Sequence, residues 1–300
     1  MARIAPGFIS LRDVDPIQYR EAIDGHLPYS SFNYLSLRCY WPEAQVCLLP
    51  DGVALVLDTP PEHQPFLTVL GRNPDLRALI DLSSQLQLDA ALRLVPECSL
   101  PSPAERLDIQ ERRDGHDYLI ALDAMLNPEA PGMVAKHRLA ADCLASNKGL
   151  ILEEASLARS DIRELVSEIE QAWQSARNGN RNDNGTLNWE REAFRRCLLL
   201  TEEGVLEPLA LVARRTNGEP LGFTINEPLP DGYYMAHFGK TLPGHPGLAE
   251  LLEMETASRM LQRGCHTMNF QEDHGNPGLR RMKQSWNPCK MLRVCDVQVV

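Results

Sequence analysis

The chain has 300 residues, a formal net charge of −11, 43% hydrophobic residues and 24% charged ones. That balance predicts a soluble globular protein with one large or two medium cores. It excludes a surface built wholly to grip nucleic acid or anionic lipid. A local basic site stays open, because fields are set within a Debye length of roughly 8–10 Å. The eight cysteines show no CxxC pair and no His/Cys cluster at metal-ligand spacing, which predicts reduced, mostly buried thiols and neither zinc nor disulfides. The first residues lack the apolar core of a signal peptide, and no apolar run approaches the ~18–20 residues that span a bilayer. The expectation is a cytoplasmic protein with no transmembrane segment.

In chain order, 15–25 reads as a short helix and 31–42 as an aromatic-rich packed stretch. Segment 44–59 is a hairpin around Pro50-Asp51-Gly52. Segment 74–88 is an amphipathic helix with Leu76, Leu79, Ile80 and Leu86 at helical spacing. Segments 91–97 and 108–122 read as strands. The Pro/Gly-rich stretch 127–136 marks a boundary, giving an N-terminal unit over 1–127 and a C-terminal one over 128–300. After it come a helix (137–146), a strand (149–157) and a helix over 160–176, with Ser160 as N-cap. The Asn/Gly-rich segment 177–188 reads as a mobile loop, and 189–204 is helical again. Three strand-like runs (206–215, 221–229, 233–241) follow, then a helix over 247–264, a strand (266–273), a short helix (277–286) and a last strand (290–300).

The order of the second half resembles the layout of a GNAT-type acyltransferase. "GEPLGFTINEPL", "HFGKTLPGHPGLAELLEMETA" and "NFQEDHGNPGLRRMKQSWNPCKML" closely resemble the C-terminal catalytic domain of phosphatidylglycerol lysyltransferases and its soluble relatives. Upstream, "FNYLSLRCYW", "LPDGVALVL" and "DYLIALDAMLNPEAPGMVAKHRLAADC" resemble the first half of the same family. The resemblance implies a mixed α+β fold of two tandem GNAT-like domains, each a mostly antiparallel mixed sheet flanked by helices. It also implies transfer of an aminoacyl group from aminoacyl-tRNA to a hydroxyl or amine, on a phosphatidylglycerol-type lipid or a soluble molecule. The donor would be a co-substrate, with no resident cofactor. The family's Lys-Lys-Arg-Asn run stands here as Lys136-His137-Arg138-Leu139, which carries over Arg138 as a substrate contact. An acyl-CoA-dependent N-acyltransferase and a non-catalytic binding protein are the alternatives on the same scaffold.

Aminoacyl transfer from an activated ester needs positioning, a proton acceptor and stabilisation of the oxyanion. Asp273, Glu272 and His274, at the exit of a strand, are the candidate acceptors, and the family resemblance gives Asp273 the lead. The alternative is a cap for the helix that follows. Between His274 and Cys295 stand five Lys/Arg and no acid. Of these, Arg280 and Lys283, on one helical face, are candidates to hold a phosphate, or else to pair with acidic surface. Glu227 is a candidate for a donor α-amine or an ordinary strand-end acid. His237 and Lys240 are candidate acceptor contacts, and Asn269 and Gln271, alternating on one strand, would line the site. "KTLPGHPGLAELL" occupies the place of a pyrophosphate loop, but Pro246 removes one of its donors.

Overall fold

The computed structural model describes residues 7–59, 64–101, 107–177 and 186–300. Of the expected loop at 177–188, residues 178–185 lie outside them, while 177 closes one helix and 186–188 open the next. The first half begins with β1 (Ile9–Ser10) and α1 (Pro16–Ala22). Asp15 caps α1 by accepting from the Ile17 N–H at 2.7 Å, with proline in the first turn. The aromatic-rich stretch forms α2 (Tyr34–Tyr40), capped by Asn33 through the Ser36 N–H at 2.8 Å. It is preceded by a single turn at Ser30–Phe32. β2 (Gln45–Leu49), β3 (Gly52–Thr59) and β4 (Gln64–Gly71) extend β1 into a four-stranded antiparallel sheet. α3 (Leu76–Gln85) covers it, and β5 (Leu92–Pro96) follows.

The expected strand at 108–122 is two strands. β6 (Leu107–Glu111) and β7 (Asp117–Ala121) are separated by a turn at Arg113–Gly115. Helices α4 (Leu122–Leu126) and α5 (Val134–Ser146) lead to β8 (Leu150–Ser156), α6 (Ser160–Arg177) and α7 (Thr186–Glu202). Next comes a meander of β9 (Leu209–Arg215), β10 (Pro220–Pro228) and β11 (Tyr233–Thr241). α8 (Leu248–Gln262), β12 (Thr267–Asn269) and α9 (Pro277–Gln284) follow in the expected order. Gly247, at φ +81°, lets α8 start against α5; a Cβ there would lie 2.1 Å from the Leu139 carbonyl. The expected last strand is again two: β13 (Lys290–Leu292) and β14 (Val294–Val299), broken at Arg293.

The two broken strands run antiparallel along each other and serve two sheets. β13 pairs with β7, and β14 with β6 and β5. A seven-stranded sheet therefore reads β13-β7-β12-β11-β10-β9-β8, and a three-stranded one reads β5-β14-β6. The sheets thus do not divide at residue 127. β7 from the first half lies between β12 and β13, and β14 from the C-terminus completes a sheet of the first half. The largest core crosses the same line, with Leu35, Leu37, Leu55 and Phe66 packed in one cluster with Ile162, Phe194, Phe223 and Phe238. The mixed α/β architecture and the order of the second half follow the expectation. A clean tandem arrangement is not confirmed, since strands from each half complete sheets of the other.

β11 and β12 are parallel only from Tyr233↔Thr267 to Met235↔Asn269, after which they part. The turn at Ser30–Phe32 and the start of α2 close over this parting. β7 brings Asp117 to it from the other side.

Candidate functional site

Residues 270–276 leave β12 without regular structure, and two of them, Gln271 (φ 58°) and His274 (φ 49°), hold left-handed conformations that residues with a Cβ rarely adopt. These bracket Glu272 and Asp273 and turn the two carboxylates into different surroundings.

Asp273 is fully buried and fully occupied. It accepts from Tyr118 Oη at 2.5 Å, from Arg280 Nε and Nη2 at 2.9 and 2.8 Å, and from the Gly275 N–H at 2.9 Å. Arg113 stands 3.4 Å away. Burial pushes its pKa up, but the Arg280, Tyr118 and Gly275 bonds outweigh that and hold it at about 2. Such a carboxylate is a poor proton acceptor: accepting a proton would break several charge-assisted bonds. Nor does it cap α9, since Asn276 does, by accepting from Gly278 N and Leu279 N. Arg280 is correspondingly committed: its guanidinium also donates to Asp114 at 2.6 Å. Gly275 permits this closure, because a Cβ there would lie 2.8 Å from the Asp114 carboxylate. Lys283 is buried and donates to the carbonyls of Phe270 and Glu272, both at 2.6 Å. The pair expected to hold a phosphate is thus engaged within the protein, Arg280 with carboxylates and Lys283 with backbone carbonyls. The acids that oppose it come from 273 and from the distant Asp114.

Glu272 faces the parting between β11 and β12. It accepts from Ser30 Oγ at 2.7 Å, and His274 Nε2 lies 3.4 Å from its other oxygen. Burial raises its pKa, but His274, Ser30 and Lys283 outweigh this and keep it below the usual carboxylate range, ionised at neutral pH. Behind Ser30 sits Asp117, 1% exposed, with its pKa raised to about 7 by burial and by Glu272. His274 is partly exposed and meets the edge of Trp189, whose ring belongs to an aromatic wall with Tyr40 and Phe238.

A second carboxylate–histidine pair lies on the neighbouring strands. Glu227 (β10) accepts from Asn33 Nδ2 at 2.7 Å, from His237 Nε2 at 3.3 Å and from Arg20 at 3.3 Å. Burial raises its pKa, but His237, Asn33 and Arg20 bring it below the usual range. Gln271 Nε2 donates to the Ala236 carbonyl at 2.9 Å and to His237 Nδ1 at 3.2 Å. A carbonyl can only accept, which fixes the amide orientation, makes Nδ1 the acceptor and leaves Nε2–H for Glu227. Asn269 is fixed in the same way: Nδ2 donates to the Pro28 carbonyl at 2.6 Å and to Asp117 at 3.0 Å.

Sequence-predicted residues thus divide. Glu272, His274, Glu227, His237, Asn269 and Gln271 meet in one network. Lys240 lies on the β11 face that carries His237, but donates to Glu190 at 2.6 Å with its ammonium over the Trp173 ring. Arg138 is exposed on α5 and, among the described residues, its ion pair is with Asp142, at 3.8 Å, away from the network. Segment 241–246 borders a cleft of about 420 Å³ that also takes in Trp173. Sequence reading missed Ser30, Asn33, Asp117, Tyr118 and Asp114, whose site partners Glu272, Glu227, Asn269, Asp273 and Arg280 lie far along the chain. The Ser-Ser-Phe-Asn stretch at 30–33 and the acid Asp117 at the head of the apolar β7 were the signals for three of them. Among the described residues, no group of three His, Cys, Asp or Glu could hold a metal ion, and no helix is long and apolar enough to cross a membrane.

Residues 62–294 match the phosphatidylglycerol lysyltransferase C-terminal family. The chain belongs to that family. No curated protein sequence matches it. Among solved structures, a conserved protein of unknown function from Bacteroides thetaiotaomicron superposes with a TM-score of 0.78 at 18% identity, covering 97% of this chain and 98% of the other. L-PGS from Bacillus licheniformis gives a TM-score of 0.61 at 13% identity over 95% and 90% of the two chains. A C-terminal domain from Agrobacterium fabrum, named for lysylphosphatidylglycerol synthesis, gives 0.64 at 12% over 94% and 90%. These superpositions show a shared fold.

Proposed function

We propose that this chain moves an aminoacyl group from aminoacyl-tRNA to a hydroxyl or amine acceptor, either a phosphatidylglycerol-type headgroup or a soluble small molecule or peptide. Family membership supports an acyl or aminoacyl transfer. The observation that carries the reading is that one turn holds two carboxylate–histidine pairs: Ser30 bonds Glu272 and Asn33 bonds Glu227.

In this reading Glu227, ionised and backed by His237, receives the α-amine of the donor. The acceptor's oxygen or nitrogen attacks the ester carbonyl, forming the new C–O or C–N bond as the bond to the tRNA ribose oxygen breaks. Glu272, with His274 beside it, takes the acceptor's proton and returns it to the leaving ribose oxygen. A carboxylate held below its usual pKa is a weak base, so positioning of an already activated ester supplies most of the rate. The aromatic wall of Tyr40, Trp189 and Phe238 would exclude water from the competing hydrolysis.

The test is incubation with a pool of charged tRNAs and cell extract, followed by mass spectrometry for a new aminoacyl adduct that Glu272→Gln abolishes. Clear thermal stabilisation by CoA thioesters, with no adduct from any charged tRNA, would assign the donor to CoA instead.

A further inference from the structure

Ser30 Oγ lies 2.5 Å from Asp117 Oδ1 and 2.7 Å from Glu272 Oε2. A hydroxyl has one hydrogen to donate. Two ionised carboxylates at these distances would leave one oxygen–oxygen contact without a proton, which is repulsive in a buried setting. One of the two carboxyls must therefore donate to Ser30 Oγ.

The remaining bonds say which. Asp117 Oδ2 is already an acceptor, from the Ser30 N–H at 2.6 Å and from Asn269 Nδ2, whose orientation is fixed, at 3.0 Å. Oδ1 has Ser30 Oγ as its hydrogen-bond partner and is free to carry a hydrogen. Glu272 lies beside His274, and its own carbonyl holds the Lys283 ammonium. The charged and titratable groups facing the pair are Tyr29 and Lys283 on Asp117, and His274, Tyr40 and Lys283 on Glu272. The cations lean toward Glu272. We propose that the two carboxyls hold a single proton, carried on Asp117 and donated to Ser30 Oγ. Ser30 in turn donates to Glu272 and fixes it as the ionised member. Asp117 is then a positioning residue, acting through Ser30, and like charges so close cannot both ionise without cost. This rests on the reading of Glu272 as proton acceptor for its purpose, but its test does not use activity, so each can fail alone.

Asp117→Asn is the discriminating variant. An amide nitrogen in place of Oδ1 donates to Ser30 Oγ, while its oxygen keeps both acceptor bonds, so it mimics the protonated acid. In the wild type the native state holds a proton that the unfolded chain releases above its ordinary value of 3.8, up to about 7. Stability from this group is full below the lower value and lost as the pH rises through the upper one. Thermal unfolding midpoints read from about pH 5 to about pH 8 should fall by several degrees in the wild type and by clearly less in Asp117→Asn, where Glu253, also raised by burial to about 7, keeps the remaining slope. The variant should match or exceed the wild type at the alkaline end. An Asp117→Asn protein with an unchanged slope and a lower midpoint at every pH would overturn the proposal, as would a slope removed by Glu272→Gln instead. Carbon-13 NMR of the wild type labelled at aspartate carboxyls gives a readout that needs no variant. One aspartate should titrate near neutrality, and none doing so would equally overturn it.

Discussion

Glu272 and Asp273 share a peptide bond, yet one meets a serine hydroxyl and a half-open histidine while the other is gripped by Arg280, Tyr118 and a backbone amide. The difference comes from the backbone. With left-handed residues at 271 and 274, successive side chains leave on opposite sides, one toward the parted strands and one into the base of α9. Proton transfer needs a carboxylate with an unfilled side, and holding α9 against β7 needs one with every lone pair filled. The same residue cannot serve both ends, and the pair divides them.

That comparison can be broken most visibly at Glu272. The Glu272→Gln variant should lower the transfer rate by about 10²–10⁴-fold while leaving the fold intact. In Asp273→Ala the largest effect falls on stability: Tyr118 and Arg280 lose their shared partner. Chemical denaturation should read a loss of about 2–3 kcal/mol, less than the ~3–5 of a fully enclosed pair because Arg280 keeps 32% of its side chain in water. Acid sharpens the contrast. The Asp273 contribution is present above its unfolded value of 3.8 and lost as the pH falls toward about 2, so Asp273→Asn should flatten the acid limb of the unfolding curve. Arg138→Ala should do least, shifting stability by no more than about 0.5 kcal/mol and transfer not at all, since among the described residues its ion pair is with the exposed Asp142.

Much of the fold was legible in local pattern. The 44–59 hairpin, the amphipathic helices and the order of the second half all follow from periodicity and turn residues. What escaped was long-range pairing. Nothing local says that β7 joins β12 across some 150 residues, or that 290–300 changes sheets at Arg293, because register and partner choice depend on edges made elsewhere. The site divided likewise. Glu272, His274, Glu227 and His237 stood out as polar residues at strand ends, and the structure gathers them. Arg280 and Lys283 looked unopposed because the sequence shows charges in line, whereas Asp114 and the carbonyls of 270 and 272 meet them through the fold. Ser30 and Asp117 carried no signal beyond their polarity.

The most direct check is a side-by-side assay of Glu272→Gln and Asp273→Asn, reading aminoacyl adduct formation and unfolding midpoint on the same preparations. Glu272→Gln should keep the midpoint and lose transfer; Asp273→Asn should lower the midpoint and, below it, retain transfer measurably above the Glu272→Gln level. Full transfer in Glu272→Gln, together with an Asp273→Asn protein that is folded as well as the wild type yet inactive, would reverse the two roles.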